Sequence, residues 1–427
     1  MMRLKQDEIE MLEGKQGHAV QRAMELLVKY GEALGAEEFC DTANVCGTMS
    51  NTTPFLNKIL SDFKSYDHMM SELNFDCSDV YDIPEVRCFS CQLEHGLDPD
   101  TYQIQGISQS KYEINAKDEE VEKRMNVNLI CTCAPYLTGN VPVFGEHCAW
   151  MESSAVVYIN SVIGARTNCE GRESAAASML TGKTPYWGLH VPENRLGDYQ
   201  INVEYPVESV RDWGLLGYYG GWAAGEKIPV FNGIQGQPLL EHYKHCGAAG
   251  ASSGGTEMFH VVGRTPEART MQEAFGGRKP KEVFTFGRSE ARQMYDRLNS
   301  TAKSDEVDFV MLGCPHYSLK QLWQAAMKLR GKKVKDFVAM WIFIPRALKE
   351  VSDRNGYTKI IEDAGAVLMA DTCPALGRLM PQGATHMATD SVKQGHYIPA
   401  ILGLQSSFGS VDDCIEAAVS GRWKGEF

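Results

Sequence analysis

Apolar side chains recur at helical spacing near the start of the chain, at Ile9, Met11, Leu12, Ala19, Ala23, Leu26 and Leu27. This period predicts two helices between Gln6 and Leu34, with a break at the glycine-containing residues 14–17. A third helix is expected over Thr53–Phe63. The stretch from Asp76 to Arg124 is less regular, apart from a charged helix over its last nine residues. We interpret this stretch as the edge of a lobe or an insertion.

Short apolar runs alternate with helical patterns toward the end of the chain. Strands are predicted at Asp308–Leu312, Phe337–Ile344 and Ala366–Ala370. Helices are predicted after the first two of these strands, at Ser318–Lys328 and Arg346–Asn355. Repetition of strand, loop and helix favours an α/β fold with mostly parallel sheets and crossover helices.

A similar pattern surrounds residues 128–164. A short strand is expected at Asn128–Thr132, and Pro135 would prevent it from continuing. A helix is expected at about Ser153–Val162, with Ser153 or Ser154 as its N-cap and Gly164 just past its end.

The length of 427 residues exceeds that of the usual compact domain, so we expect two or three lobes. Their approximate limits are placed at residues 1–125, 126–300 and 301–427. The net charge of −13, from 55 acidic and 42 basic residues, argues against a nucleic-acid partner. The N-terminus has no apolar signal region, and no apolar run reaches the roughly 20 residues that span a bilayer. A cytoplasmic protein without a membrane partner is therefore expected.

Three of the 13 cysteines share one sequence context. Cys133, Cys314 and Cys373 each follow a predicted strand, and a proline comes one or two residues later. Ligands of α/β sheets bind outside the carboxyl ends of the strands, so these thiols are expected to face a cleft. Three thiolates from separate loops suit an iron–sulfur cluster with one iron left open. The alternative is that each is an ordinary buried core thiol.

The other cysteines leave a second metal site open as a hypothesis. Cys88 and Cys91 have CxxC spacing and could form a zinc site with Cys77 and His95. Solvent-exposed loop thiols are the simpler interpretation. Cys169 lies in a polar loop and could line the cleft. Five further cysteines are assigned to core packing, namely Cys40, Cys46, Cys148, Cys246 and Cys414.

Several motifs together resemble those of one family. They are Thr132–Tyr136 (TCAPY), Gly145–Trp150 (GEHCAW), Glu152–Val156 (ESSAV), Gly164–Asn168 (GARTN), Gly182–Pro185 (GKTP), Leu189–His190, Glu193–Arg195 (ENR), Leu312–His316 (LGCPH), Asp371–Cys373 (DTC) and Thr389–Lys393 (TDSVK). The set is similar to the large subunit of the aconitase X family along the whole chain, most densely at 133–195 and 312–393. The resemblance implies a dehydratase with an aconitase-like large subunit, in which several α/β lobes with mostly parallel sheets surround a central cleft.

The resemblance also implies a cofactor and a partner. The cluster ligands of the family carry over to Cys133, Cys314 and Cys373. The cluster would be a [4Fe-4S] cluster with one open iron, a [3Fe-4S] or a [2Fe-2S] cluster. The small swivelling domain of the family is not found within the 427 residues, so a separate small subunit and a heterodimer are expected. In related enzymes a serine of that small piece is the base.

Two substrates are known in the family, cis-3-hydroxy-L-proline in mostly bacterial members and mevalonate 5-phosphate in archaeal members. Residues Cys169–Arg172 read Cys-Glu-Gly-Arg where the archaeal pattern is Arg-Glu-Gly-Gly. A phosphate site would favour an arginine fork. The departure favours dehydration of cis-3-hydroxy-L-proline to Δ1-pyrroline-2-carboxylate, with mevalonate 5-phosphate as the alternative.

The chemistry of dehydration suggests roles for polar residues within these motifs. His316 could protonate the leaving hydroxide or orient a ligand, and Ser391 and Lys393 are further catalytic candidates. His147 and His190 are candidates of the same kind as His316. Arg166 is a candidate for a substrate contact, because its guanidinium could bind a carboxylate through two parallel hydrogen bonds. The other candidates are the short polar side chains of Ser153, Ser154, Asn168 and Thr372, for which helix capping is the alternative.

Two other classes of protein remain as alternatives. A nucleotide-dependent α/β enzyme would need a dinucleotide or P-loop motif, and the glycine-rich residues 217–221 and 247–255 have neither. Those glycines favour close backbone packing or a turn. A non-enzymatic iron–sulfur or zinc scaffold would be favoured if Cys88 and Cys91, and not the three strand-end thiols, held the metal.

Overall fold

The computed structural model describes residues 2–49, 65–75, 77–79 and 82–427. The predicted helix Thr53–Phe63 lies outside these residues. The strands β1 to β14 are Phe39–Asp41, Asn44–Gly47, Phe89–Gln92, Cys148–Trp150, Lys183–Pro185, Tyr199–Val203, Pro229–Asn232, His260–Val261, Glu282–Phe286, Phe309–Leu312, Ala339–Ile344, Val367–Ala370, His386–Thr389 and Gln405–Phe408. The α-helices are Gln6–Leu12, His18–Leu34, Tyr66–Phe75, Gln109–Arg124, Ser153–Tyr158, Arg172–Thr181, Val210–Ala224, Leu240–Gly254, Met271–Phe275, Arg288–Leu298, Leu319–Leu329, Arg346–Asn355, Tyr357–Asp363, Pro374–Gly377, Val392–Leu402 and Val411–Ser420.

Three parallel sheets form the α/β framework that the sequence predicts. The largest has the strand order β12-β11-β10-β13-β14, and every neighbouring pair in it is parallel. A four-stranded sheet has the order β8-β7-β6-β9, and a three-stranded sheet has the order β3-β2-β4; both are also parallel. A separate antiparallel pair joins β1 to β5. The parallel sheets place the carboxyl ends of their strands at one edge, where functional loops are expected.

The helix Leu319–Leu329 illustrates how local sequence sets these elements. Ser318 caps its start by accepting from the backbone N–H of Gln321, whose side chain closes the capping box. Its apolar residues recur every three or four positions, and Leu322, Ala325, Ala326 and Leu329 are buried. The helix therefore covers one face of the five-stranded sheet.

Two local predictions around residues 128–164 need correction. Asn128–Thr132 is not a strand, because only Asn128 forms a bridge, to Cys91, and Cys131 takes a left-handed conformation with a φ of 43° that ends any ladder. The helix after residue 152 begins as predicted, but its N-cap is Glu152, whose carboxylate accepts from the N–H of Ser154 at 3.3 Å. The helix continues as a π-helical segment, Ile159–Ile163, and ends at Gly164 as expected.

The glycine-rich stretches do bring two backbones together, as the sequence suggested. Helices Val210–Ala224 and Leu240–Gly254 pack so closely that a Cβ on Gly217 would lie 2.1 Å from the carbonyl oxygen of Cys246. A Cβ on Gly254 would lie 1.9 Å from the carbonyl oxygen of Gly221. Only glycine allows this contact between the two helices.

The stretch 76–124 is not peripheral to the fold. Residues 90–98 are all buried, and β3 within this stretch pairs directly with β2. The lobe limits at 125/126 and 300/301 stay a prediction. The four-stranded sheet lies wholly within residues 126–300, and the five-stranded sheet lies within residues 301–427. The three-stranded sheet takes strands from both sides of residue 125. Among the described helices, none combines the length and the apolar character needed to cross a membrane.

Candidate active site

Three loops carry the cysteines selected from the sequence. We call residues 131–134, 313–316 and 371–374 the cysteine loops. Cys314 follows β10 and Cys373 follows β12, both in the five-stranded sheet, whereas Cys133 comes from the irregular segment after the Asn128 bridge. The three residues are 5%, 5% and 8% exposed for Cys133, Cys314 and Cys373. Their thiols are therefore buried at the carboxyl edge of the sheet.

The side chain of His316 joins the three cysteine loops. Its Nδ1 lies 2.9 Å from the hydroxyl of Thr132, and its Nε2 lies 2.9 Å from the carbonyl oxygen of Thr372. Because the Thr372 carbonyl can only accept, Nε2 carries the proton and Nδ1 accepts from Thr132. The backbone N–H of His316 also donates to the Cys133 sulfur at 3.2 Å. Burial lowers the pKa of His316 to about 4, so the ring is neutral.

The charge of one cysteine thiol affects the pKa of the other two. Burial raises the pKa of all three thiols, and the charge of Cys314 contributes to the increase at both Cys133 and Cys373. For Cys314 the increase is opposed by the ammonium of Lys393 and by hydrogen bonds with Gln394 and Ser391. Each thiol therefore keeps its proton unless a cation replaces it.

Lys393 and Glu152 form a partly buried ion pair beside these thiols, with 17% of each side chain exposed. The ammonium of Lys393 contacts a carboxylate oxygen of Glu152 and lies 3.0 Å from the hydroxyl of Ser154 and 3.4 Å from that of Ser153. Burial alone would lower the pKa of Lys393, but Glu152 and Cys314 raise it above its ordinary value. Burial would likewise raise the pKa of Glu152, but the charge of Lys393 holds it below its usual range. Both groups are therefore charged.

Glu94 is a site residue that the sequence analysis missed. Burial and the negative charge of Glu152 raise the pKa of Glu94 to about 8, and its charge in turn raises the pKa values of Cys133 and Cys373. Its Oε2 atom is buried and has no hydrogen-bond partner among the described residues. The residue follows β3 closely, so the strand-end rule that selected the cysteines would also have selected Glu94 had the strand been predicted.

Lys244 supports the second cysteine loop from helix Leu240–Gly254. Its ammonium donates to the carbonyl oxygens of Pro315 at 3.1 Å and His316 at 2.7 Å, and to the side-chain oxygen of Gln321 at 2.6 Å. The side chain is fully buried, and burial lowers the pKa of Lys244 to about 8. All three ammonium protons can be used in this way, which fixes the loop that contains Cys314.

Arg346 supports the third cysteine loop. Its guanidinium donates to Asp371, to Asp98 at 2.7 Å and to Asp100 at 2.6 Å. Asp371 has a φ of 64°, a left-handed conformation that the ion pair and a hydrogen bond from the N–H of His95 to its carbonyl hold in place. Burial raises the pKa of Asp371 to about 7 despite the charge of Arg346. The network joins the 90–100 segment to the residues immediately before Cys373.

The other predicted site residues divide into two groups. Ser391 caps helix Val392–Leu402 and also contacts the Cys314 thiol, and Thr372 has a buried hydroxyl without a hydrogen-bond partner among the described residues. Arg166 and Asn168 are not brought to the Lys393–Glu152 pair. Arg166 lies beside His147 and His190, and Asn168 binds the backbone of residues 187–189 through both ends of its amide.

The suggested zinc site of Cys77, Cys88, Cys91 and His95 does not form. Cys91 is fully buried in β3, and His95 pairs with Asn115 and Glu122 instead. The alternative interpretation, solvent-exposed loop thiols, is also wrong for Cys77 and Cys91, because both are buried. Two other groups of possible metal ligands occur within the described residues: Cys40 with His147 and His190, and His18 with Cys77 and Asp79.

Comparisons with known proteins agree on one family. Models of the first, second and third domains of aconitase X match residues 1–193, 197–296 and 307–420. The phosphomevalonate dehydratase large subunit of Methanocaldococcus jannaschii is 33% identical over 424 residues, which cover 97% of this chain and 100% of the relative. The cis-3-hydroxy-L-proline dehydratase of Pseudomonas aeruginosa is 38% identical over 296 residues, 68% of this chain and 51% of the relative. The crystal structure of the holo-form of Thermococcus kodakaraensis aconitase X superposes with a TM-score of 0.82 at 30% identity, covering 98% of this chain and 100% of that one.

Proposed function

The chain belongs to the aconitase X family of dehydratases, and from this premise we propose that it is the large subunit of an iron–sulfur hydro-lyase acting on cis-3-hydroxy-L-proline. The observation that supports this function best is the meeting of the three cysteine loops on His316, next to the Lys393–Glu152 pair. Two relatives that match 97% and 95% of the chain are called large subunits. A separate small subunit is therefore proposed as the partner of this chain and as the source of the catalytic base.

Cys133, Cys314 and Cys373 are the proposed cluster ligands. The donor set fits an iron–sulfur cluster, because such clusters are held by cysteine thiolates and these three buried residues come from separate loops that meet at His316. When bound, the cluster would supply an open iron that polarises the substrate hydroxyl as a Lewis acid. Ser391 and Gln394 hydrogen-bond to the Cys314 sulfur, so we assign Ser391 to positioning this ligand.

His316 is assigned to positioning as well, which is the second of the two roles that the sequence suggested, rather than to protonating the leaving hydroxide. Both of its ring nitrogens are used by the neighbouring loops, and its pKa is lowered to about 4. Glu94 is the better candidate for giving a proton to the leaving hydroxide, because its buried Oε2 atom has no partner in the described structure.

The charges of the site favour an amino-acid substrate. The carboxylate of the substrate would bind the ammonium of Lys393 and the hydroxyls of Ser153 and Ser154, which already surround it. The ring ammonium would lie near the charged carboxylate of Glu152. Loss of the C2 proton to the base and of the C3 hydroxyl as water gives an enamine, which tautomerises to Δ1-pyrroline-2-carboxylate. Binding at Lys393 would hold the C2 carbon in position for this deprotonation.

Mevalonate 5-phosphate is the second candidate substrate. It is favoured by the whole-length similarity to phosphomevalonate dehydratase large subunits, 31% to 35% identical over 95% to 99% of this chain in four of them. The cation that acts on the Cys314 thiol is the Lys393 ammonium, and no arginine acts on it among the described residues, so the arginine fork that would favour a phosphate is not found at this thiol.

The test uses the chain purified anaerobically with its small subunit. Iron, acid-labile sulfide and turnover of both substrates are measured for the wild type, Cys314→Ala and the matched control Cys414→Ala, a buried cysteine outside the cysteine loops. We expect the wild type and the control to contain iron and sulfide and to turn over cis-3-hydroxy-L-proline, and Cys314→Ala to lose both properties. Turnover of mevalonate 5-phosphate alone would overturn the substrate assignment, and full iron content in Cys314→Ala would overturn the ligand assignment.

The role of Glu94 is tested in the same preparation. Glu94→Gln keeps the shape and hydrogen-bonding capacity of the side chain but cannot release a proton. We expect a kcat lower by about 10² to 10⁴-fold with iron content unchanged. An unchanged kcat would exclude Glu94 as the acid.

A further inference from the structure

The side chains of Cys40, His147 and His190 form a compact group that is separate from the cysteine loops. His147 precedes β4, whereas Glu152 follows it, so this group lies at the opposite end of that strand from the Lys393–Glu152 pair. The sequence analysis had assigned Cys40 to core packing and had treated the two histidines as candidates for the active site. The structure places all three together instead.

The distances within this group match a tetrahedral zinc site. The Nδ1 atoms of His147 and His190 are 2.9 Å apart, and the Cys40 sulfur is 3.8 Å from the His190 Nδ1. With Zn–N bonds of about 2.0–2.1 Å and a Zn–S bond of about 2.3 Å, tetrahedral geometry requires about 3.4 Å between two nitrogens and about 3.6 Å between nitrogen and sulfur. Each measured distance is within roughly half an ångström of that requirement.

The fold brings these ligands from three separate segments. Cys40 lies on β1 and is held opposite Thr184 of β5. His147 is held by its parallel bridge to Arg166, and His190 ends the short 3-10 helix Gly188–His190. Ligands held by different parts of the backbone are fixed in position before an ion arrives, which lowers the cost of ordering them.

Two facing imidazole nitrogens can share only one hydrogen without a bound ion. His190 is fully buried, and Nδ1 is its only ring nitrogen with a partner, because Nε2 has no hydrogen-bond partner among the described residues. Its Nδ1 faces both the sulfur of Cys40 and the Nδ1 of His147. The Cys40 thiol lies 3.5 Å from the Thr184 carbonyl oxygen, to which it can donate. The three ligand atoms lie within 4.8 Å of one another, so one ion between them could take a lone pair from each ring and from the thiolate.

We propose that Cys40, His147 and His190 form a site for zinc or another thiophilic divalent transition metal, with a fourth coordination position open to water or a small anion. The proposal does not depend on the iron–sulfur cluster. The bound ion would tie β1 and the 188–190 turn to the start of β4, and so brace one end of the strand whose other end leads to Glu152.

The surrounding charges decide which class of ion fits. Burial, together with the charges of Arg166 and Arg195, lowers the pKa values of His147 and His190, the latter to about 3, so both rings are neutral and available as ligands. The same two arginines repel a divalent cation. Hard ions such as Mg²⁺, which prefer oxygen ligands, have nothing to offset this repulsion, whereas a thiophilic ion gains a strong bond to the Cys40 thiolate. Zinc binding would therefore release the thiol proton.

The test measures zinc and cobalt binding to the chain purified with its small subunit and treated with chelator. The variants Cys40→Ser and His147→Ala, and the matched control Cys88→Ser at a half-buried cysteine outside the group, are each made in a Cys314→Ala background, which removes a proposed cluster ligand from the cysteine loops. Circular dichroism verifies that each variant is folded.

Cys314→Ala, alone and combined with Cys88→Ser, is expected to bind about one zinc per chain and, with cobalt, to show a thiolate-to-metal charge-transfer band with tetrahedral d–d bands. Cys40→Ser should lose the charge-transfer band. His147→Ala should lower the affinity by more than the ~10- to 100-fold cost of losing an outer-shell partner. A band that persists when Cys40→Ser is added to Cys314→Ala would overturn the proposal, as would a Cys314→Ala chain that binds no zinc.

Discussion

His316→Ala is the substitution that tests most directly how the three cysteine loops are held together. It removes the acceptor for the Thr132 hydroxyl and the donor to the Thr372 carbonyl, both at 2.9 Å in a residue that is 0% exposed. Each buried partner left unsatisfied costs about 1–3 kcal/mol, so the free energy of unfolding should fall by about 2–6 kcal/mol. The total free energy of unfolding of a domain is about 5–15 kcal/mol, so the variant should still fold.

The expected effect on the metal site is larger than this loss of stability implies. Without the imidazole, Thr132 and Thr372 lose their hydrogen bonds to the Cys314 loop, although the backbone N–H of residue 316 can still donate to the Cys133 sulfur. Loss of an outer-shell partner typically lowers metal affinity by about 10- to 100-fold. The assay is iron and acid-labile sulfide per chain after reconstitution at limiting iron, with urea unfolding measured in parallel.

His386→Ala is the matched control for His316→Ala. His386 is 1% exposed, lies on β13 of the same sheet, and its Nε2 atom is 2.9 Å from the Ser407 hydroxyl. We expect this variant to lose stability, since one buried partner is left unsatisfied, but to retain iron. If His316→Ala and His386→Ala retained iron equally, the clamping role of His316 would be refuted.

Three further predictions concern other parts of the structure. Gly217→Ala should destabilise the chain by more than about 1–3 kcal/mol in urea unfolding, because its Cβ would lie 2.1 Å from the Cys246 carbonyl. Burial raises the pKa of Glu170 to about 7, so the folded chain keeps a proton that the unfolded chain loses at its ordinary pKa of 4.5. Relative to Glu170→Gln, the wild type should therefore lose up to about 3 kcal/mol as the pH rises from 4.5 to 7, and a difference independent of pH would contradict this. Lys393→Met should cost about 3–5 kcal/mol by leaving Glu152 unpaired, and adding Glu152→Gln should restore stability without restoring turnover.

The sequence predicts the regular parts of the fold because they depend on local periodicity. Strands β10 and β12 and helix Arg346–Asn355 lie within two residues of their predicted limits. The strand expected at Asn128–Thr132 fails because a single left-handed residue, Cys131, is enough to end a ladder, and periodicity does not report φ. The N-cap was assigned to a serine, whereas the carboxylate of Glu152 has this role.

The candidate site is only partly readable from sequence, for a physical reason. The selection of Cys133, Cys314 and Cys373 used strand ends, a local signal, and remains a prediction as a ligand set. The roles of Lys244 and Arg346 depend on contacts between distant parts of the chain, such as Lys244 with Pro315 at a separation of 71 residues and Arg346 with Asp98 at a separation of 248 residues. Such contacts are set by the order of strands in the sheets, which a pattern in one segment does not contain.

The electrostatics of the cysteine loops couple cluster assembly to protonation. In the chain alone, burial and mutual repulsion keep the thiols protonated, and the neutral His316 holds the loops together without adding charge. Iron binds thiolates, so assembly must release protons from these buried groups. Burial raises the pKa of the Cys314 thiol, and the Lys393 ammonium is the largest influence that lowers it. The free-energy cost of releasing the proton is therefore reduced most at Cys314. Cys314 should therefore be the first of the three to lose its proton, and Lys393, which is also the proposed carboxylate ligand, connects assembly of the metal site with recognition of the substrate.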